Sequence, residues 1–245
     1  MLGRKLTPGV KFLSEFWFFC APGLATEAKM PALHTRDIVV IGASMGGVEA
    51  LRALARGFPA DLPASVLVVL HTSSGQLADF LDRAGPLRAT TAEDGIAPQR
   101  GRIYVAPPGR HLLLTGEGLR VVFGPRENSA RPAVDPLFRT AAASHRSRVI
   151  GVVLTGCLDD GAAGLLAVHR CGGCAVVQAP DDAAYPEMPR RALLAVPDAI
   201  TAQLSDLAPL LARLAAQPAP VASSVPAALL LETQLWSSIS PDGPS

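Results

Sequence analysis

Four cysteines in 245 residues (Cys20, Cys157, Cys171 and Cys174) are too few to staple a chain of this size with disulfides. They point to a reducing compartment, and the expected location is the cytoplasm. Aromatic residues make up 5%, there is no run of basic residues, and Lys+Arg 22 against Asp+Glu 21 leaves a formal charge of +1. A nucleic-acid binder's basic and stacking footprint is therefore missing. No apolar run is long enough to cross a bilayer, so membrane insertion is not expected. No G-x-x-x-x-G-K-[ST] string occurs, which excludes a P-loop. What is present is a hydrophobic fraction of 49% and a charged fraction of 18%. Those proportions suit a globular core, in one large domain or two small ones.

The two ends differ from the middle. Residues 12–25, "FLSEFWFFCAPGLA", follow Arg4, Lys5 and Lys11 in the manner of a signal peptide's basic start and apolar run. Glu15 interrupts that run, however, and no small-x-small cleavage site ends it. Residues 1–35 are expected to be a disordered extension or a start-site artefact, with Met30 directly before the ordered pattern. From Gln217 the chain becomes rich in Pro, Ala and Ser, and 217–245 is expected to be a tail. One domain is expected over 36–216.

Inside it, apolar runs of strand length alternate with amphipathic stretches. Strands are expected at 37–43, 65–71, 148–156 and 175–179, and helices at 46–56, 76–84, 134–145, 162–171 and 203–215. Between 101 and 124 the pieces "RIYVA", "HLLLT" and "LRVVFG", separated by Pro-Pro-Gly and Gly-Glu-Gly, predict an antiparallel hairpin excursion. The expected class is α/β: a doubly wound, mostly parallel sheet with helices on both faces. In such sheets functional groups gather beyond the carboxyl ends of the strands. The polar residues there are Ser44, His71 and the run Cys157-Leu158-Asp159-Asp160.

The turn "GASMGG", residues 42–47, has two chemical readings. As a dinucleotide cradle it lacks the second glycine of G-x-G-x-x-G, replaced by Ser44, and at the end of the second strand it offers His71 instead of a ribose-binding acid. As a nucleophile turn it explains more residues. A serine hydroxyl needs a base, and His71 is the one histidine of five at a strand's carboxyl end. An aspartate would then fix the imidazole, and backbone N–H groups near Ser44 and in "GCLDDG" would face the oxyanion. Bland readings stand beside these: serine at a helix start is commonly an N-cap, a histidine ending a strand is often structural, and Asp before Gly is often a turn. Spacing leaves both readings open, and does not choose between Asp159 and Asp160.

The strings "VVIGASMGG", "VVLHTS", "AEDGIAPQRGRIYVAPPGRHLLL", "RPAVDPLFRTAA", "GVVLTGCLDDGAAGLLAV" and "MPRRAL" occur in the order found in the protein-glutamate methylesterases of bacterial chemotaxis. Residues 37 to 215 closely resemble the catalytic domain of that CheB family. The resemblance implies Ser44 as nucleophile, His71 as base and Asp160 as the residue that orients it. It implies an oxyanion hole of the Met45 and Cys157 backbone N–H groups, with Cys157 at a position usually held by methionine. It also implies hydrolysis of glutamate methyl esters on a methylated chemoreceptor or receptor-like protein, and deamidation of glutamine, without metal or organic cofactor. The sequence departs from the family pattern at three points. The 36 residues before the first strand are too few for the family's receiver domain, so control by phosphorylation in cis is not expected, and any regulation is expected from elsewhere, a separate regulatory protein being one candidate. Met45 stands where threonine is common, and Leu158 where a small residue is usual. These departures keep a second reading open, a catalytically weak signalling or binding module of the same fold.

Other residues carry weaker signals. Arg131 is expected either to contact an acidic substrate segment or to make a structural ion pair. Met188 is expected at the cleft by family position, or in the core as a gap-filler. His111 is expected to start a hairpin strand near the site in a structural role. Cys171-Gly-Gly-Cys174 ends a helix rather than beginning one, which argues against a redox pair, and His169 with these cysteines lacks a fourth metal ligand.

Overall fold

The computed structural model describes residues 34–221 and 224–241. The expected N-terminal extension lies almost wholly outside the described residues, as does Cys20. The elements run β1 (Ile38–Ala43), α1 (Gly47–Gly57), β2 (Ser65–Leu70), α2 (Leu77–Asp82), β3 (Arg88–Thr91), β4 (Arg102–Val105), β5 (His111–Thr115) and β6 (Gly118–Val122). They continue with α3 (Val134–His145), β7 (Val149–Val153), α4 (Ala162–Arg170), β8 (Cys174–Gln178), α5 (Glu187–Ala195), β9 (Ile200–Ala202), α6 (Leu204–Ala216) and α7 (Ala227–Ser237).

Seven strands form one sheet in the order β3-β4-β2-β1-β7-β8-β9, and every pairing is parallel. The central strands are buried on both sides because both faces carry helices. Along β1, Val39 and Ile41 enter one apolar cluster with Leu51, Leu54, Leu207 and Leu211. Ile38 and Val40 enter the opposite cluster with Leu112, Leu137, Phe138 and Leu165. Thus alternate residues of one strand serve two cores, and the sequence shows a continuous apolar run rather than an alternation.

The chain winds outward in one direction from β1 to β2 and in the other from β1 to β7. The carboxyl ends of β1, β2 and β7 therefore flank the switch point of the sheet, where the two windings part and leave a crevice.

The expected three-piece hairpin needs correction. Residues 102–105 belong to the parallel sheet, with Val66 opposite Ile103 and Val68 opposite Val105. Ile103, Tyr104 and Val105 are all buried, as a strand covered on both faces requires. Only β5 and β6 form the antiparallel hairpin. That hairpin lies on α3, tied by the Leu114 N–H to Thr140 Oγ1 (3.2 Å) and by Ser144 Oγ–H to the Leu114 carbonyl (3.0 Å). The stretch expected as a tail contains α7, whose Trp236 is buried edge-on against the His111 ring with centroids 5.0 Å apart. Composition hid this helix, since its burial depends on a distant partner. The sequence pattern does not mark the strands β3 and β9 at the sheet edges, nor helix α5.

Candidate active site

The turn after β1 is fixed by backbone constraints. Gly46 precedes α1 with φ of 74°, a left-handed conformation that strains any residue with a Cβ. The Ser44 N–H donates to the Thr155 carbonyl (3.0 Å), which ties the end of β1 to the loop after β7. Gly156 in that loop allows close approach: a Cβ there would stand 2.8 Å from Ser44 Cβ and overlap Met188 Sδ. The cap reading of Ser44 requires its hydroxyl to accept an N–H of α1. No side-chain cap hydrogen bond is made at that helix start.

Instead Ser44 Oγ lies 3.2 Å from His71 Nδ1. His71 follows β2 directly, and its own N–H donates to the Ala43 carbonyl (3.2 Å), so the histidine is registered to the residue before the serine. Its other ring nitrogen, Nε2, lies 2.7 Å from Asp160 Oδ2. This is the reverse of the ring orientation in the chymotrypsin template, where Nε2 faces the serine and Nδ1 the aspartate. The order of contacts, hydroxyl to imidazole to carboxylate, is unchanged. With Asp160 accepting a proton-bearing Nε2, the Nδ1 lone pair is left facing the serine hydroxyl.

Asp160 is almost fully buried, whereas its neighbour Asp159 is exposed. Oδ2 also accepts the Val134 N–H (2.7 Å), while Oδ1 accepts the Asp135 N–H (3.0 Å) and Asn128 Nδ2 (2.8 Å). Two of these donors are the first N–H groups of α3, so the carboxylate sits at the positive end of that helix. Burial alone would raise its pKa. The hydrogen bonds from His71, Val134, Asn128 and Asp135 outweigh that effect and hold it below the ordinary carboxylate value. The group is thereby kept as the anion that an imidazolium needs beside it.

Several backbone donors around the serine are already engaged. Ser44 N–H goes to Thr155, Gly156 N–H to the Tyr185 carbonyl (2.9 Å), and Leu158 N–H to Glu187 Oε2 (3.0 Å). The N–H groups of Met45 and Cys157 have no acceptor among the described residues. These are the two donors expected from the sequence. The Met45 carbonyl is fixed by Thr155 Oγ1 (3.0 Å), which orients the peptide units that follow Ser44.

A cleft of about 620 Å³ opens beside His71, lined among others by Thr72, Arg126, Asn128, Arg131 and Leu158. Arg131 reaches its wall, but its guanidinium is engaged: Nη1 donates to the Gly124 carbonyl (2.9 Å), and the group lies 3.8 Å from the centroid of the Phe123 ring. Arg126 is the exposed cation of this cleft, and no sequence signal separates it from other surface arginines. Met188 is buried behind Gly156 and lines neither this cleft nor the neighbouring one of about 520 Å³ around Cys157, Tyr185, Arg190 and Leu194. His111 is fully buried: Nε2 donates to the Pro125 carbonyl (2.9 Å) and Nδ1 accepts the Ala133 N–H (3.2 Å). Burial pushes its pKa down, and the ring ties the hairpin to the start of α3.

Burial raises the pKa of both Cys171 and Cys174, the opposite of a reactive thiol. His169 lies 3.6 Å from Asp198. Among the described residues no three His, Cys, Asp or Glu side chains are grouped to hold a metal ion. Nor is any helix among them long and apolar enough to cross a membrane.

Comparison with known proteins places the chain among named relatives. The protein-glutamate methylesterase/protein-glutamine glutaminase of Yersinia pestis bv. Antiqua (strain Antiqua) is 39% identical over 170 residues, covering 66% of this chain and 48% of that protein. The protein-glutamate methylesterase/protein-glutamine glutaminase 3 of Anaeromyxobacter dehalogenans (strain 2CP-C) is 36% identical over 219 residues, 82% of this chain and 64% of that protein. In the first of these matches the chain spans about half the length of its curated relative. The crystal structure of the Thermotoga maritima CheB methylesterase catalytic domain superposes with a TM-score of 0.70 at 31% identity, over 73% of this chain and 98% of that one. The CheB methylesterase family model matches residues 39–211, a span that includes Ser44, His71 and Asp160, and the chain belongs to that family.

Proposed function

We propose that this chain is a serine hydrolase that removes methyl esters from glutamate side chains of chemoreceptor proteins and deamidates glutamine by the same route. The observation that carries the reading is the continuous chain of contacts from Ser44 Oγ through His71 to Asp160. The names of the relatives support the substrate class.

The chemistry follows from the arrangement. His71 Nδ1 takes the hydroxyl proton as Ser44 Oγ attacks the ester carbonyl, and the Asp160 anion stabilises the imidazolium that forms. The tetrahedral oxyanion is received by the Met45 and Cys157 N–H groups. Since both donors are backbone, the cysteine side chain does not enter this step. His71 then returns its proton to the departing methoxide, and methanol leaves an acyl-enzyme on Ser44. Water, deprotonated by the same imidazole, releases the free glutamate. With glutamine, ammonia leaves in place of methanol.

The rim fits a protein substrate. Met45 and Leu158 flank the triad and are 52% and 60% exposed, offering apolar contact. Arg126 and the edge of Arg131 supply positive charge on the His71 side for an acidic segment. Met188 supports the serine loop from behind. The proposed location is the cytoplasm, where the receptor's signalling portion would be met.

The test is methanol release from a methylated receptor fragment by the wild type and by Ser44→Ala. Release that falls to background in the variant is the expected result. A folded wild type that binds the fragment without releasing methanol would overturn the enzyme reading in favour of a binding module.

A further inference from the structure

A second buried carboxylate lies behind the triad, and the reaction above assigns it no part. Asp135 is the second residue of α3 and is 4% exposed. Its Oδ1 accepts the N–H groups of Gly161 (3.0 Å) and Gly164 (2.6 Å) at the start of α4. Asp160, two residues before α4, accepts in turn the first two N–H groups of α3. Each carboxylate thus caps the helix that the other belongs to or introduces, and the two helix starts are locked face to face.

Asn128 closes the arrangement. Its Nδ2 donates to Asp135 Oδ2 (2.9 Å) and to Asp160 Oδ1 (2.8 Å), bridging two groups that would otherwise repel. The loop gives this amide a special backbone: Asn128 has φ of 51° and Ser129 of 62°. Asparagine is among the few residues that tolerate that region. On the outer side Arg139 Nη1 is 3.9 Å from Asp135 Oδ2, and the same guanidinium pairs with Glu127 and with Glu232 of α7.

We propose that Asn128 and Asp135 are positioning residues of the hydrolase, holding the Asp160 carboxylate at the angle that presents Oδ2 to His71. Asp160 has no freedom to rotate while both of its oxygens are held from α3 and Asn128. Asn128 has no reason to stay in the cleft wall unless Asp135 takes its other hydrogen. Burial, and then the charge of Asp160, raise Asp135 to about 6, so Asp160 remains the ionised member of the pair under acid conditions. The charged groups facing Asp135 are Asp160, Arg139 and, through them, His71, Glu127 and Glu232.

This proposal rests on the hydrolase reading, and its test uses a serine-directed fluorophosphonate, which reports the reactivity of Ser44 without the natural substrate. The full chain is labelled across pH as wild type, Asn128→Ala, Asp135→Asn and the double variant. Asp135→Asn keeps an oxygen for the two backbone N–H groups but turns an NH2 toward Asn128, which breaks the bridge. Each single variant is expected to label roughly tenfold to a hundredfold more slowly, the scale of one hydrogen bond to a charged group. The double variant should be no slower than Asn128→Ala, because both remove one bridge. The acid limb of the wild-type rate should also be steeper than that of Asp135→Asn, because a proton on Asp135 Oδ2 removes the acceptor that holds Asn128, whereas the variant has no group to titrate there.

A purely structural cap predicts otherwise: lower melting temperatures, unchanged labelling of the folded fraction and an unmoved acid limb. That outcome overturns the positioning role while leaving the hydrolase reading intact. If Asp135→Asn fails to fold, Asn128→Ala on its exposed loop still decides the rate. A wild type that does not label, beside a Ser44→Ala control, overturns both readings.

Discussion

Adding one methyl group at Gly156 should disable the site without replacing any of the three reacting side chains. A Cβ at this position would stand 2.8 Å from Ser44 Cβ and inside the radius of Met188 Sδ. Ordinary carbon contacts begin near 3.4 Å, so the two loops must part by roughly 0.6 Å or more on the serine side. Overpacking of this kind costs about 1–3 kcal/mol. For a chain of this size each kcal/mol lowers the melting temperature by roughly 2–4 °C. The rate should suffer more than the stability, since a displacement approaching 1 Å at a reacting atom can cost about a hundredfold. Thermal melts and fluorophosphonate labelling of Gly156→Ala, Met188→Ala and the double variant separate the two effects. Met188→Ala alone opens a cavity, at a cost of about 2–5 kcal/mol. The double variant places the new methyl in that space, so its loss of stability should be smaller than the sum of the single losses. Its labelling should stay slow, because the contact with Ser44 Cβ remains. Wild-type labelling by Gly156→Ala, or labelling restored in the double variant, would refute the argument that the glycine serves the serine directly.

Three further outcomes follow from the same geometry. Asp135 is raised from 3.8 to about 6 on folding, so the unfolded chain gives up this proton first, and stability is lost as pH rises through that window. The loss is roughly 3 kcal/mol at most and complete above pH 6, so urea midpoints at pH 4.5 and 7.5 should fall for wild type relative to Asp135→Asn. A difference that does not change with pH would contradict this. Trp236→Ala should destabilise the chain by about 3 kcal/mol and open the α7 segment to limited proteolysis, because this side chain joins α7 to His111 and Gly124. Cys157→Ala should label within about twofold of wild type, as expected for a donor that is backbone; a tenfold loss would assign the thiol a part in the site.

How far the sequence revealed this protein depended on whether a feature was local. The strands β1, β2 and β7 are legible because burial on both faces writes a continuous apolar run, and the residue after each run is at the functional edge by construction. That is why Ser44 and His71 could be singled out from a turn string and a strand end. The edge strands left no such mark: in Arg88–Thr91 only Ala89 is buried, and Ile200–Ala202 has no fully buried residue. Arg102–Val105 was legible as a strand but not as to its sheet, since the Pro-Pro-Gly after it resembles a hairpin turn. Arg131 shows the limit for side chains. Sequence made it a candidate for substrate carboxylates, yet the ring and carbonyl that occupy it come from Phe123 and Gly124 in the same loop.

Asp135 and Asn128 were invisible for a different reason. An acid in the first turn of a helix is ordinary, since it complements the helix dipole, and nothing in "VDPLF" says that a second helix start faces it. The pairing exists only because β7 lies beside β1 and its outgoing loop meets the beginning of α3. The same topology bears on two of the departures from the family pattern expected from the sequence, Met45 and Leu158. Met45 and Leu158 point into solvent at the rim, whereas Asp160, Asp135, Gly156 and Met188 interlock beneath it. Exchange at the rim alters what a substrate touches without moving the oxygen, nitrogens and carboxylate that react. Divergence at those two positions is therefore expected to change which protein is bound before it changes how the bound ester is cleaved.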